Sequence, residues 1–170
     1  MKKKVKIVYS DYYFDEVIKH MIDLAKKDLK ELGIEFDIIS VPGSFEIPYE
    51  ISRSIKEDTS ENKIKMDTFK GKNKNELRDN IVQMAKLSQL NISNQPLYSA
   101  YLALGCIIKG KTINHEAIST SIFTNLQRIA IENNTPIANG IFNANNLDEA
   151  LEKYSKCTKQ AIKVLNKFVK

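Results

Sequence analysis

Apolar and polar positions along this chain follow two rhythms in alternation. Residues 4–9 are short, β-branched and apolar, which predicts a strand. Over 15–32, Val17, Ile18, Met21, Ile22, Leu24, Ala25 and Leu29 recur at helical spacing, and Gly33 stands where a glycine ends a helix. Glu35–Val41 reads as a second strand that breaks at Pro42 and Gly43. A helix resumes over 45–56, with Pro48 tolerated in its first turn. Strand patterning returns at 99–104, followed by a helix over 116–133, a strand over 136–142 and a long helix from Leu147. Asp148 and Glu149 in the first turn of that last helix suit its dipole.

Residues 58–96 differ in composition. They hold many Asn, Lys and Ser, few large apolar residues, and one helix-like patch at 76–90. They read as an insertion into a single domain spanning 1–170. Without them the order is β-α-β-α-β-α-β-α. That alternation, with continuous apolar strands, predicts an α/β fold with a parallel sheet covered by helices on both faces. Ligands of such sheets bind beyond the carboxyl ends of the strands. Here those ends are 10–14, 42–46, 105–115 and 140–146, where polar, glycine and aromatic residues collect.

Composition adds limits. An apolar fraction of 42% and a charged fraction of 28% over 170 residues are ordinary for a globular protein with a sizeable core. The net charge of +5 comes from lysines scattered over helix faces with no interleaved aromatics, which argues for a solvated surface and against nucleic acid. Two cysteines, Cys106 and Cys157, and two histidines make neither a disulfide framework nor a zinc-finger spacing. The apolar run after the first lysines is about five residues, short of the roughly 7–15 of a signal peptide. No segment approaches the ~20 apolar residues of a membrane span. The expected setting is a reducing cytoplasm, with no membrane partner.

The segment GCIIKGKTINH, 105–115, fits the phosphate-loop pattern GxxxxGK[ST] at Gly105, Gly110, Lys111 and Thr112. Three features oppose a nucleotide loop. Ile107 and Ile108 are poor at tight loop geometry, too little chain follows for a nucleotide-binding fold, and no later strand ends in an Asp for magnesium. A milder inference is a site for one phosphate or carboxylate at a strand-to-helix turn, beside Lys111 and Thr112.

Three segments in order, VPGSFEIP (41–48), ALGCIIKGKT (103–112) and NGIFNANNLDEAL (139–151), follow a strand that ends near Tyr13 and Phe14. Together they resemble the 6,7-dimethyl-8-ribityllumazine synthase family, over most of the chain outside 58–96. The resemblance implies a three-layer α/β/α fold with a four-stranded parallel sheet of flavodoxin-like topology. It implies condensation of 5-amino-6-(D-ribitylamino)uracil with 3,4-dihydroxy-2-butanone 4-phosphate, without cofactor or metal. It also implies small-molecule substrates, self-association as pentamers or larger shells with active sites at subunit interfaces, and riboflavin synthase as a candidate protein partner.

By the same resemblance, Tyr13 stands where an aromatic stacks on the pyrimidinedione. Ser44, Phe45 and Glu46 match the segment holding the pyrimidine and its ribityl chain. Cys106, Ile107 and Ile108 match a stretch whose backbone contacts the pyrimidine, and Lys111 and Thr112 match phosphate-binding positions. Asn139 and Lys153 match positions that reach in from a neighbouring subunit. Two departures stand out. The family has a proton-transferring His where Asn114 stands, with His115 one residue later, so His115 and Asn114 are the candidate catalytic pair. Lys153 replaces an Arg, which keeps the charge but loses the bidentate fork. An impaired, shell-forming or flavin- or lumazine-binding member is the alternative; a flavodoxin-like or receiver domain and a nucleotide-binding loop are more remote ones.

Overall fold

The computed structural model describes residues 3–67, 96–111 and 113–169, with their side chains except those of 59–67. Four strands, β1 (Lys4–Ser10), β2 (Glu35–Val41), β3 (Ala100–Ile108) and β4 (Ile137–Ala144), form one parallel sheet in the order β2-β1-β3-β4. Four helices connect and follow them: α1 (Lys19–Glu31), α2 (Ile47–Asp67), α3 (Asn114–Glu132) and α4 (Leu147–Phe168). The result is the expected three-layer α/β/α arrangement. The chain divides into two compact units, Met1–Ser52 with Tyr98–Lys170, and Arg53–Leu97.

Period-2 burial builds the larger unit. On β3, Ala100, Leu102, Leu104 and Cys106 face a core shared with Met21, Ile22, Ala25 and Leu29 of α1 and Ala161, Ile162 and Leu165 of α4. The intervening Tyr101, Ala103 and Ile107 are buried too. A strand covered on both faces explains why β3 reads as one apolar run. Each fully buried Leu or Ile there contributes about 1.5–3 kcal/mol. β1 shows the same alternation: Val5 and Ile7 enter the α1/α4 core, while Lys6 reaches Glu50 of α2 on the other face (3.7 Å). α1 and α4 pack on one face, while Glu50 near the start of α2 and Ser119 of α3 meet the sheet on the other.

Gly33 ends α1 at φ 67°, the left-handed conformation its position demanded. In the smaller unit, Arg53 Nη1 donates to Glu57 Oε1 (2.6 Å), and the Leu97 N–H donates to Asp58 Oδ2 (2.6 Å). The helix-like patch anticipated at 76–90 lies outside the described residues.

The structure moves several boundaries, among them the end of β4, which reaches Ala144 instead of 142. The first helix is preceded by a π-helical turn, Phe14–Ile18, in which the Tyr13 carbonyl accepts from Val17 N–H (3.0 Å) and Ile18 N–H (3.1 Å). The second helix, anticipated to end at 56, continues to Asp67 after a 3-10 turn at Ser44–Glu46. β3 runs on to Ile108 instead of stopping at 104. The third helix begins at Asn114, two residues earlier than its apolar pattern shows.

Gly140 on β4 is a packing constraint. A Cβ there would lie 2.8 Å from Leu104 Cδ2 and 2.9 Å from the Ala103 carbonyl oxygen of the adjacent strand. Backbone cannot yield as a side-chain tip can, so Gly140→Ala overpacks the β3–β4 seam. The expected outcome is a urea midpoint lowered by the equivalent of about 1–3 kcal/mol. An unchanged midpoint would show that the seam relaxes freely.

Candidate functional site at the carboxyl ends of the strands

The register of β3 creates the site. Its ladder with β1 ends at Tyr9 and Leu104, whereas its ladder with β4 continues through Ile108 and Ala144. Residues 105–108 therefore extend past β1 and carry backbone groups with no β1 partner on that side. This disposes of the phosphate-loop geometry. A nucleotide loop needs residues after its first glycine to curl, and here they lie extended in a paired strand. The β-branched Ile107 and Ile108 foretold that result.

Side chains alternate along this overhang. Cys106 and Ile108 join the α1/α4 core, and Ile107 points to the other face. Burial, followed by the nearby Cys157, pushes the Cys106 thiol up to about 12, so it is an inert core group at neutral pH. What 106–108 offer a ligand along the open edge is backbone.

The turn after β2 packs onto the same place. A Cβ on Gly105 would lie 2.6 Å from Ser44 Oγ, so Gly105 makes room for the VPGSFEIP turn against β3. Ser44 is 8% exposed, and its hydroxyl has no hydrogen-bond partner among the described residues. A buried hydroxyl left unsatisfied costs about 1–3 kcal/mol, and such atoms mark places where a ligand or water completes a structure. Phe45 beside it is exposed. Glu46 is half-buried, folding its carboxylate over Gly43 while its N–H donates to the Gly43 carbonyl (3.2 Å).

Tyr13 sits at the mouth of β1 with φ 60° and ψ 37°. A bulky side chain rarely adopts this left-handed conformation, and strain of this kind concentrates at functional turns. The Tyr13 ring is half-buried against the core, and its phenol is pushed above the usual range, chiefly by burial and then by Tyr12, Cys106 and Glu16. Tyr12 meets it edge-on at 4.7 Å and is 63% exposed, so it presents the freer ring face. Sequence reading singled out Tyr13 alone. The signal it passed over was that three aromatics follow Asp11, of which Tyr13 and Phe14 turn to the core and Tyr12 is left outward.

On the other side of the overhang, Lys109 N–H donates to the Ala144 carbonyl (2.8 Å), and Lys111 is exposed. Thr112 lies outside the described residues. Asn114 and His115 occupy the first turn of α3. Asn114 is exposed, whereas the His115 side chain is 12% exposed, its Nε2 3.8 Å from Glu116 Oε1.

Below them runs a polar chain. Ser119 Oγ lies 2.5 Å from the His115 carbonyl oxygen and 2.8 Å from the Asn143 side-chain amide oxygen. Lys153 Nζ lies 3.5 Å from the Asn143 carbonyl oxygen and is paired with Glu149. Glu149 also closes a variant of the capping box: its N–H donates to the side chain of the N-cap residue Asn146 (Oδ1, 2.9 Å), and its Oε2 accepts from the N–H of the preceding Asn145 (2.6 Å). Asn139, exposed on the same strand, accepts from the Ile141 N–H (2.9 Å).

The structure thus joins Ser44 to Gly105, Tyr13 to Cys106, and His115 to Lys153 through Ser119 and Asn143. Sequence reading missed Ser119, Asn143 and Glu149. The available signal was period-2 polarity in β4, where Asn139 and Asn143 interrupt an apolar strand. Among the described residues, no group of three His, Cys, Asp or Glu could hold a metal ion, and no helix is long and apolar enough to cross a membrane.

These features define an α/β/α protein with a candidate site at the carboxyl ends of a parallel sheet, formed by β3 and the turns beside it. A family model for 6,7-dimethyl-8-ribityllumazine synthase matches residues 2–67 and 77–169, and the chain belongs to that family. It is 33% identical over 156 residues to the 6,7-dimethyl-8-ribityllumazine synthase of Buchnera aphidicola subsp. Baizongia pistaciae, covering 89% of this chain and 74% of that protein. It is 28% identical over 147 residues to that of Afipia carboxidovorans, covering 86% and 70%. It is 23% identical over 159 residues to that of Agrobacterium fabrum, covering 94% and 85%.

Lys153 and Asn145 N–H hold the Glu149 carboxyl well below its usual 4.5, at about 2. A depressed carboxyl pKa stabilises the folded state above pH 4.5, and that contribution is lost as pH falls towards 2. Glu149→Gln keeps the acceptor for the capping box and removes the charge. The variant should therefore show a flatter melting temperature against pH across this window than the parent, in low salt. Parallel curves for the two proteins would show that the pair contributes nothing.

Proposed function

We propose that this chain condenses 5-amino-6-(D-ribitylamino)uracil with 3,4-dihydroxy-2-butanone 4-phosphate to give 6,7-dimethyl-8-ribityllumazine, a step of riboflavin biosynthesis. The observation that carries the reading is the meeting of the VPGSFEIP turn with the β3 overhang at Ser44 and Gly105, in a chain of this family. The amine and the ketone carbonyl form an imine with loss of water, phosphate leaves by elimination, and ring closure expels water. Electrons balance between the two substrates, so the reaction calls for no redox partner. Holding the two reactants together supplies much of the acceleration.

The roles proposed here combine the family resemblance with this geometry. The open backbone of Cys106, Ile107 and Ile108 faces the pyrimidinedione edge, and Tyr13 with its neighbour Tyr12 supplies the aromatic wall. Ser44, Phe45 and Glu46 hold the ring and the ribityl hydroxyls; a carboxylate accepts several such bonds. Lys111 and Thr112 take the phosphate. Asn139 and Lys153 serve the site of a neighbouring subunit. His115 is the proton-transfer group, because an imidazole can take up and release a proton and the Asn114 amide cannot.

Assembly belongs to this reading. Phe45, Tyr49 and Ile113, exposed by 58%, 70% and 78%, lie at or just beyond the site turns, and exposed apolar clusters of this kind mark interfaces. A cytoplasmic ring of subunits, with 58–96 as an insertion into one domain, completes the proposal, and riboflavin synthase is the candidate protein partner.

Purified protein given both substrates should develop lumazine absorbance and fluorescence above the spontaneous rate. Product at background alone would overturn the reading, and tight lumazine binding without turnover would favour a binding or shell protein. Loss of one acid–base group typically costs about 10²–10⁴-fold. Asn114→His should therefore raise kcat if position 114 faces the reaction. A kcat unchanged by that substitution, but abolished by His115→Gln, would assign the proton transfer to His115.

A further inference from the structure

We propose that Ser119 and Asn143 form a clamp that positions His115 for proton transfer; this rests on the functional reading above. Ser119 lies one turn after His115 on α3 and is 3% exposed. Its hydroxyl faces two oxygens, the His115 carbonyl at 2.5 Å and the Asn143 side chain at 2.8 Å. A hydroxyl carries one proton and the carbonyl can only accept. Both contacts are satisfied when Ser119 donates to the carbonyl and Asn143 presents its amide N–H to the Ser119 oxygen.

A serine bonding back to the carbonyl four residues earlier is ordinary helix behaviour. The contact across to β4 is not. It ties the first turn of α3, where the loop from β3 arrives, to β4, the edge strand that is hydrogen-bonded to β3 throughout the overhang. Among the described residues no side chain caps this helix, whose N-cap residue is Ile113. A helix start without a cap frays readily. The Ser119–Asn143 contact therefore supplies the anchorage the cap omits, and it does so on the residue that carries His115.

Asn143 also ties His115 to the second charged element. Its backbone carbonyl lies 3.5 Å from Lys153 Nζ. One residue of β4 thus stands between the proposed acid–base group and Lys153, the cation proposed to serve a neighbouring subunit's site. Cutting the side-chain link from Asn143 to Ser119 lets the first turn of α3 shift while the Asn143 carbonyl keeps its place beside Lys153. Both are positioning residues, not catalytic ones.

The test compares Ser119→Ala, Asn143→Ala, the double variant and Ser119→Thr in the full-length protein, by steady-state kinetics and by NMR of ¹³C-labelled histidine. Each single variant should lower kcat about 10-fold, with the KM of both substrates within about 2-fold, because misplacement of a group in the first turn affects chemistry more than binding. The double variant should match either single one, since both cut the same link. Ser119→Thr keeps the hydroxyl and should restore kcat. The His115 ring resonance and its titration midpoint should move in the Ala variants and return in Ser119→Thr. A kcat and His115 resonance unchanged by Ser119→Ala would overturn the clamp. So would a lowered kcat with an unmoved resonance, which marks a structural loss elsewhere. If the parent protein forms no lumazine, the functional reading fails. The resonance then judges the contact alone: a shift upholds the link between Ser119 and His115, and its absence overturns it.

Discussion

The offset between β1 and β3 is the constraint on which the rest depends. Because β1 leaves the sheet at Ser10 while β3 continues to Ile108, a stretch of strand is held rigid by β4 on one side and left open on the other. A loop could offer the same amide and carbonyl groups, but at an entropic cost of about 1–2 kcal/mol per residue on ordering. Within the sheet that ordering is already done. Ser44, Tyr12 and Tyr13 then need only be delivered to the open edge, and the turns after β2 and β1 do so by being short.

That delivery requires a missing atom. Gly105 faces Ser44 so closely that any side chain would displace the turn after β2. The GxxxxGK[ST] match therefore has a physical explanation unrelated to nucleotides. Its first glycine is required by packing against another segment, not by a curl around phosphate. Its later members, Gly110 and Lys111, lie beyond the strand at the start of the link to α3. One pattern thus covers two separate requirements, which is how a short motif with a known mechanism can match a chain that lacks the mechanism.

How much of this was legible in the sequence depended on range. The alternation of strands and helices and the parallel sheet follow from local periodicity, and the structure agrees with them. Boundaries at the site did not follow so well. Gly105 interrupts the apolar run of β3, so the strand seemed to stop at Leu104, although Ile107 and Ile108 pointed the other way. Asn114 and His115 are polar, so α3 seemed to start after them. The left-handed Tyr13 carries no local mark, since nothing in a Tyr-Tyr pair announces a positive φ as Asn-Gly would. The links from Ser119 to Asn143 and from Lys153 back to the same residue depend on where α3 and α4 dock on β4. No single-segment pattern encodes that docking.

The displaced histidine sharpens what such docking can do. Neighbouring residues on a helix differ by about 100° in direction, so a histidine moved by one position cannot inherit its predecessor's aim from the helix alone. Here the helix start is uncapped, and the first turn is fixed from the side by a strand. An uncapped turn has more freedom to rotate than a capped one, and a lateral anchor chooses which rotation is kept. Asn114 is turned to solvent while the His115 ring is largely enclosed. That enclosure supports the proposed reading, in which His115 takes the proton-transfer role one position along the chain and the sheet, through Asn143, sets its direction.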